Sequence, residues 1–350
     1  MPVCGDQVHG DQVHGDQARD GQGPNRLRDG DALNLALRRA KRGQGQTKDN
    51  PSVGCLILSP DHRVIALSHT APGGRPHGEV AALHQAGPLA RGATAYVTLE
   101  PCAHQGRSGP CTDALISAGI ARVVIGAQDA NPAVAGKGAQ KLRDAGVRVV
   151  AAHDPACQRH HLGFNRRMGG GKPYIIMKIA TSADGGMTKQ GAQQPVKITG
   201  AEVQRQVHIL RARSDVVITG RGTWETDQPQ LNVRLPGYGG ASPEILIWQR
   251  DMTLDTVVIK DPVRAKESVR AKESMTANQI MIEAGPTLSS ALIDHVDALH
   301  WYRSRSVFGD QAVRPDFLTA NPLDFATHWP KFTLVERRMF GNDVREIWRT

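Results

Sequence analysis

Four residues in the first half of the chain have the types and spacing for metal chemistry: His77, Glu79, Cys102 and Cys111. One imidazole and two thiolates supply three tetrahedral ligands to zinc and leave a fourth position for water. Such a site lowers the pKa of bound water towards about 7. Glu79 lies two residues beyond His77, close enough to carry protons without binding the metal. The run Pro76-His77-Gly78-Glu79, followed by Pro101-Cys102 and Pro110-Cys111, fits the H-x-E…P-C pattern that activates water against an amine-bearing ring carbon. The two cysteines are separated by eight residues rather than two. A loop over 103–110 must therefore bring the second thiolate back to the metal. Cys111 stands at a helix start, where the dipole favours a thiolate.

The elements that hold these residues read as alternating strands and helices. A helix around 33–40 precedes strands at 53–58 and 64–67. Then come a helix at 78–86, a strand at 95–99, a helix at 112–118, a strand at 122–126, a helix at 137–145 and a strand at 147–151. Strict alternation predicts a layered α/β/α sheet over 29–152. The stretch 153–172 reads as a connection, partly helical. A second α/β unit over 173–350 has strands at 174–179, 215–219, 245–248 and 279–282, and helices at 202–211 and 286–295.

Two repeats stand apart from this pattern. The run GDQVH-GDQVH-GDQ lies in a polar tail over 1–28, expected to be disordered. The tandem VRAKES-VRAKES at 263–274 reads as an exposed helical insertion.

Composition limits the function further. The net charge of +9 suits an anionic small molecule. The basic residues are scattered and aromatics make up only 4 %, which disfavours nucleic acid. No stretch approaches the roughly 20 apolar residues of a membrane span. The N-terminus lacks a basic segment followed by an apolar one. Five unevenly placed cysteines suit a reducing cytoplasm better than a disulfide framework.

The segments NPSVGC, TLEPCAHQGRSGPC and QDANPAVAGKG resemble the bifunctional deaminase/reductase family of riboflavin biosynthesis. In the second half, MKIATSADGG, ITGAEVQRQVHILRARSDVVITGRGTWETDQPQLNVR and IEAGPTL resemble the family's reductase part. The resemblance implies a cytidine-deaminase-like sandwich followed by a dihydrofolate-reductase-like α/β domain. It implies deamination of a phosphorylated diaminopyrimidine, then NADPH reduction of its ribosyl group to ribityl.

By position the resemblance assigns Asn50, His69, His104 and Arg107 to the deaminase substrate. It assigns Arg211, Leu231, Arg234 and Glu283 to the reductase substrate. Thr181, Thr223, Asp227 and the Gly285-Pro286-Thr287 turn are assigned to NADPH. The chain departs from the family's usual residues at Gly78 (usually Ala), Ala284 (usually Gly), Lys197 and Pro195. Two other functions fit part of the pattern: a deaminase with a silent reductase-like half, and a deaminase acting on nucleic-acid bases. A homodimer or higher homo-oligomer is compatible with the sequence, which does not fix the oligomeric state.

Overall fold

The computed structural model describes residues 27–105, 108–130, 135–192, 194–249, 252, 277–318 and 325–350. The VRAKES tandem, all but the last two residues of the tail and Arg107 lie outside them.

Helix α1 (Asp29–Gly43) forms because Ala32, Leu33, Ala36, Leu37 and Ala40 return every three or four residues and make one apolar stripe. Its first turn is anchored by Asp29, which accepts hydrogen bonds from Arg122 Nη1 (2.9 Å) and Tyr96 Oη (3.0 Å). The stripe packs on β1 (Gly54–Leu58), whose five residues are all buried. Strand β2 (Val64–His69) borders it, followed by α2 (Gly78–Ala86), β3 (Thr94–Val97), α3 (Cys111–Ser117), β4 (Arg122–Ile125), α4 (Lys137–Asp144) and β5 (Arg148–Ala151). The sheet order is β2-β1-β3-β4-β5. β1 is antiparallel to both neighbours, and β3, β4 and β5 are parallel. Leu56 and Leu58 face α1, while Cys55 and Ile57 join the opposite core with Ala82 and Ala86 of α2.

The connection expected over 153–172 is mostly helical: α5 (Pro155–His160) and α6 (Leu162–Met168). Asp154 caps α5 by accepting from Cys157 N at 2.8 Å, with Pro155 in the first turn. His161 is buried, its Nε2 sharing a hydrogen bond with Thr98 Oγ1 at 3.0 Å.

Beyond it follow β6 (Tyr174–Thr181), β7 (Thr188–Lys189), α7 (Ala201–Arg213), β8 (Val216–Gly220), α8 (Arg221–Asp227), β9 (Glu244–Trp248) and β10 (Gln279–Glu283). β11 (Ala298–Arg303), β12 (Ala312–Val313), β13 (Thr333–Phe340) and β14 (Asp343–Arg349) complete the strands. Seven of them make one sheet in the order β13-β14-β11-β6-β10-β8-β9. Its five strands from β11 to β9 are parallel, and the β13–β14 hairpin closes one edge antiparallel. In open parallel sheets ligands gather at the carboxyl ends of the strands. Those ends carry Glu283 on β10 and Gly220 on β8. No helix among the described residues is long and apolar enough to cross a membrane.

The two sheets are joined by more than the connecting helices. Gln44 Nε2 donates to Gln279 Oε1 (2.9 Å), Gln46 Nε2 to Tyr238 Oη (2.7 Å), Ala241 N to Gln46 Oε1 (2.8 Å) and Asn278 Nδ2 to the Lys48 carbonyl (3.3 Å). Gly163 of α6 passes so close to the Asn278 carbonyl that a Cβ there would lie 1.9 Å from it. Only glycine permits this approach.

Candidate active sites

His77 is the residue before α2, with extended backbone, and Cys111 is the first residue of α3. Two helix starts therefore converge on one point. His77 Nδ1 lies 3.3 Å from Cys111 Sγ and 3.8 Å from Cys102 Sγ. The three ligand atoms all fall within 4.8 Å of one another. A tetrahedral zinc with ordinary Zn–N and Zn–S bonds requires N···S edges of about 3.6 Å. The donor set and its spacing fit that ion, with Nδ1 as the ligating nitrogen.

Backbone groups steady the thiolates. Cys111 N donates to Cys102 Sγ at 3.3 Å, and Thr112 N donates to the Cys102 carbonyl at 3.2 Å. The hydrogen bond from Cys111, with help from His77, holds the Cys102 thiol down to about 4. The same bond, and burial, push the Cys111 thiol up. The pair thus shares a proton that a bound dication replaces.

Glu79 sits in the first turn of α2, only 2 % exposed. Burial raises its carboxyl to about 7 against the lowering effect of His77, and its Oε2 has no partner. A carboxyl poised near neutrality is suited to accept and return a proton. The unusual Gly78 has a local reason. A Cβ there would lie 2.3 Å from the Val53 carbonyl, so the methyl of the family's usual alanine has no room in this packing.

Of the residues assigned to the deaminase substrate, Asn50 lies against Gly74, in the turn leading to His77. His104 is exposed in the loop between the two cysteines. His69 lies on the face of Leu67, beneath α1, with its ring beside Gly43, Arg39 and Arg42 and its backbone against Gly78, the residue after His77. Sequence reasoning missed Arg75, which donates to Ser108 Oγ and ties the turn before His77 to the inter-cysteine loop. It also missed Glu100, whose carboxylate accepts from Gly136 N (3.0 Å) and Ala139 N (3.1 Å), fixing the approach to Cys102.

The second cluster lies at the carboxyl end of β10. Glu283 is buried and paired with Arg211, while Lys178 Nζ stands 3.6 Å away. Burial favours its neutral form, but Lys178 and Arg211 together hold the carboxyl below its usual range. Leu231 is buried with a positive φ of 48°, turning the chain so that Arg234 reaches solvent beside Gln230 and Asn232. Lys178 was not singled out, although it lies inside the MKIATSADGG segment.

The Gly285 turn and Thr223 of α8 meet at the ends of adjacent strands. A Cβ on Gly285 would stand 3.2 Å from Thr223 Oγ1. This narrow backbone cradle opens the helix Pro286–Leu292 and suits a dinucleotide phosphate. Asp227 is exposed at the end of α8, and Thr287 is exposed at the helix start. Thr181 is fully buried, and its hydroxyl accepts from Trp301 Nε1 at 2.9 Å. Ala284 turns its methyl into the core with Ile282 and Leu292, away from the cofactor turn. Lys197 and Pro195 are exposed.

Comparison with known proteins matches both halves of the chain. Residues 28–127 match the cytidine and deoxycytidylate deaminase zinc-binding region, and residues 173–345 match the RibD C-terminal domain. The riboflavin biosynthesis protein RibD of Escherichia coli is 35 % identical across 88 % of this chain and 96 % of its own length. The chain belongs to the RibD family. The RibD of Mycobacterium tuberculosis is 31 % identical over 88 % of the chain and 94 % of its own length. The solved structure of Acinetobacter baumannii RibD superposes with a TM-score of 0.75 at 33 % identity, covering 92 % of this chain and 98 % of that one. A Thermotoga maritima diaminohydroxyphosphoribosylaminopyrimidine deaminase/5-amino-6-(5-phosphoribosylamino)uracil reductase superposes with a TM-score of 0.73 at 27 % identity, covering 91 % and 97 %. The RibD fold here is accordingly a zinc deaminase joined to an NADPH-dependent reductase of riboflavin biosynthesis.

Proposed function

We propose that this chain deaminates 2,5-diamino-6-(5-phosphoribosylamino)pyrimidin-4(3H)-one at the His77–Cys102–Cys111 site and reduces the ribosyl group of the product at the Glu283 site. The observation that carries the first step is the buried, half-unpartnered Glu79 carboxyl beside the His/Cys/Cys trio. Zinc, when bound, supplies the Lewis acidity that makes water nucleophilic near neutral pH. Glu79 takes one proton from the attacking water and passes it to the ring nitrogen, then takes the remaining hydroxyl proton and delivers it to the departing amine, which leaves as ammonia. Asn50 and His104 border the approach from opposite loops.

For the second step Thr223 and the Gly285 turn would hold NADPH, which when bound would supply the hydride. Arg234 offers the exposed guanidinium for the substrate phosphate, whereas Arg211 holds Glu283 ionised and in place. The positioned Glu283 and Lys178 flank the sugar being opened. We place both steps in the cytoplasm.

Mass spectrometry of products from zinc-loaded protein tests this directly. The NH-to-O exchange is expected without NADPH, and a gain of two hydrogens once it is added. Deamination without any reduction overturns the second assignment. Absence of both overturns the substrate.

A further inference from the structure

A cavity of about 600 Å³ lies between the two sheets, apart from both clusters described above. One wall comes from the deaminase half, with Lys41 near the end of α1 and Ser52. The other comes from the reductase half, with Arg213 ending α7, His300 on β11 and Arg349 ending β14. Gln279, at the start of β10, also lines it. Glu283 ends the same strand, four residues and about 13 Å further on. The cavity is therefore at the opposite end of the strand from the reductase site.

Its charge is unbalanced. Six cationic side chains line it against three carboxylates. Asp297 is paired with Arg166 and Glu336 with Arg345, and Asp215 accepts from the backbone N–H groups of Asn278 and Gln279. Arg349 bonds to the Tyr174 hydroxyl. Lys41, Arg159, Arg213 and Arg349 have no carboxylate partner among the described residues. His300 gives a second, independent sign. Its ring is 9 % exposed and its buried Nδ1 has no hydrogen-bond partner. Burial, with repulsion from Arg213 and Arg159, pushes the Lys41 ammonium down; burial, then Arg345, does the same to Arg213. Gathering unpaired cations around one partly enclosed cavity costs free energy that an anion would return.

We propose that this cavity binds a phosphate-bearing small molecule, gripped by Arg213, Lys41 and Arg349 and bordered by Phe164 and Tyr174, separate from both reaction centres. The volume suits one nucleotide-sized ligand, and guanidinium forks match phosphate oxygens. Such a ligand would bridge the two halves. It would also touch Thr47, Pro51 and Ser52, the chain on either side of Asn50.

Calorimetric titration of the zinc-loaded full chain with inorganic pyrophosphate tests the site, using Arg213→Gln, Lys41→Gln and, as a control at the reductase site, Arg234→Gln. Each cavity variant should bind one equivalent less than the unmodified chain, while Arg234→Gln should keep the cavity's equivalent. Both turnover numbers of the cavity variants, measured without pyrophosphate, should stay within about twofold of the unmodified chain, about 0.4 kcal/mol. Their melting temperatures without anion should hold or rise, because each removes one of several repelling charges. Equal stoichiometry in all four proteins overturns the proposal, as does a loss confined to Arg234→Gln. Lowered melting temperatures in both cavity variants with pyrophosphate binding unchanged would also overturn it, by giving these cations a structural role.

Discussion

Arg211 and Glu283, 72 residues apart in sequence, meet through two hydrogen bonds, from Nε to Oε1 and from Nη2 to Oε2 (2.9 Å). Arg211 thus holds the buried Glu283 carboxylate in place, with its Nη1 donating to the Asn232 carbonyl. Arg211→Met should leave Glu283 buried with only the more distant Lys178, at a cost of about 3–5 kcal/mol, and abolish reduction. The double variant Arg211→Met/Glu283→Met should recover most of the stability and none of the reduction. Urea unfolding with a reductase assay checks both; a single-variant loss below about 1 kcal/mol would contradict a buried pair.

Glu79→Gln keeps the shape of the side chain and removes its capacity to cycle a proton. Deamination should fall by about 10²- to 10⁴-fold. Zinc measured by atomic emission should stay at the unmodified level, and reduction of an already deaminated substrate should be unaffected. Full deaminase activity in this variant would remove Glu79 from the mechanism.

Glu100 touches no reacting atom, yet its buried carboxylate receives two backbone N–H groups at the start of α4. Glu100→Ala should cost about 3 kcal/mol and loosen the segment that delivers Cys102. The rate of zinc transfer to a chelator should rise accordingly. An unchanged rate would mean that the proline before Cys102 is sufficient.

Asn278→Ala removes the donor that holds the Lys48 carbonyl and the acceptor of Arg167 Nε (2.9 Å), which in turn donates from Nη2 to the Asp49 carbonyl. The loop carrying Asn50 then loses its brace from the other half of the chain. The KM for deamination should rise several-fold, about 1 kcal/mol of binding, with its kcat and the reduction rate largely preserved. Steady-state kinetics of the two half-reactions separates this from general destabilisation.

Acid should weaken the fold through its buried histidines. Burial, followed by Arg345, Arg349 and Arg213, pushes His300 down to about 3, and burial lowers His161 as well. Both are neutral when folded, whereas the unfolded chain binds protons from about pH 6.5 downwards. The unfolded state therefore holds more protons across that window. Stability should fall as pH drops from about 6.5 towards 3, each histidine adding about 1.4 kcal/mol per pH unit. Urea midpoints at pH 7, 5.5 and 4.5 measure the slope, and His300→Leu should flatten it.

The deaminase half was legible because its periodicity and its chemistry coincide. The helix expected at 78–86 is α2, and two of the three ligand residues, His77 and Cys111, stand at helix starts, where sequence signals are strongest. The reductase half was less legible. β11 went unread because it is buried on both faces and shows no alternation, and β14 because charge hides its pattern. Glu346 is 1 % exposed within the run DVREIWR, held by Arg303 and Arg337 from neighbouring strands. Such a carboxylate looks like surface until its partners are placed beside it. The Arg211–Glu283 pairing has the same character, being a long-range contact that no local pattern announces. The face of β2 that His69 takes is likewise not given by its distance along the chain from His77.

The loop from Gln44 to Pro51 has its ends in one half of the molecule and several of its hydrogen-bond partners in the other. Transplanting a foreign reductase behind this deaminase would therefore be more than a change of cargo on a tether. Unless the incoming module brought its own counterparts of Tyr238, Asn278 and Gln279, the graft would hand the first enzyme a slack substrate loop. Gene fusion here has made each half part of the other's scaffold.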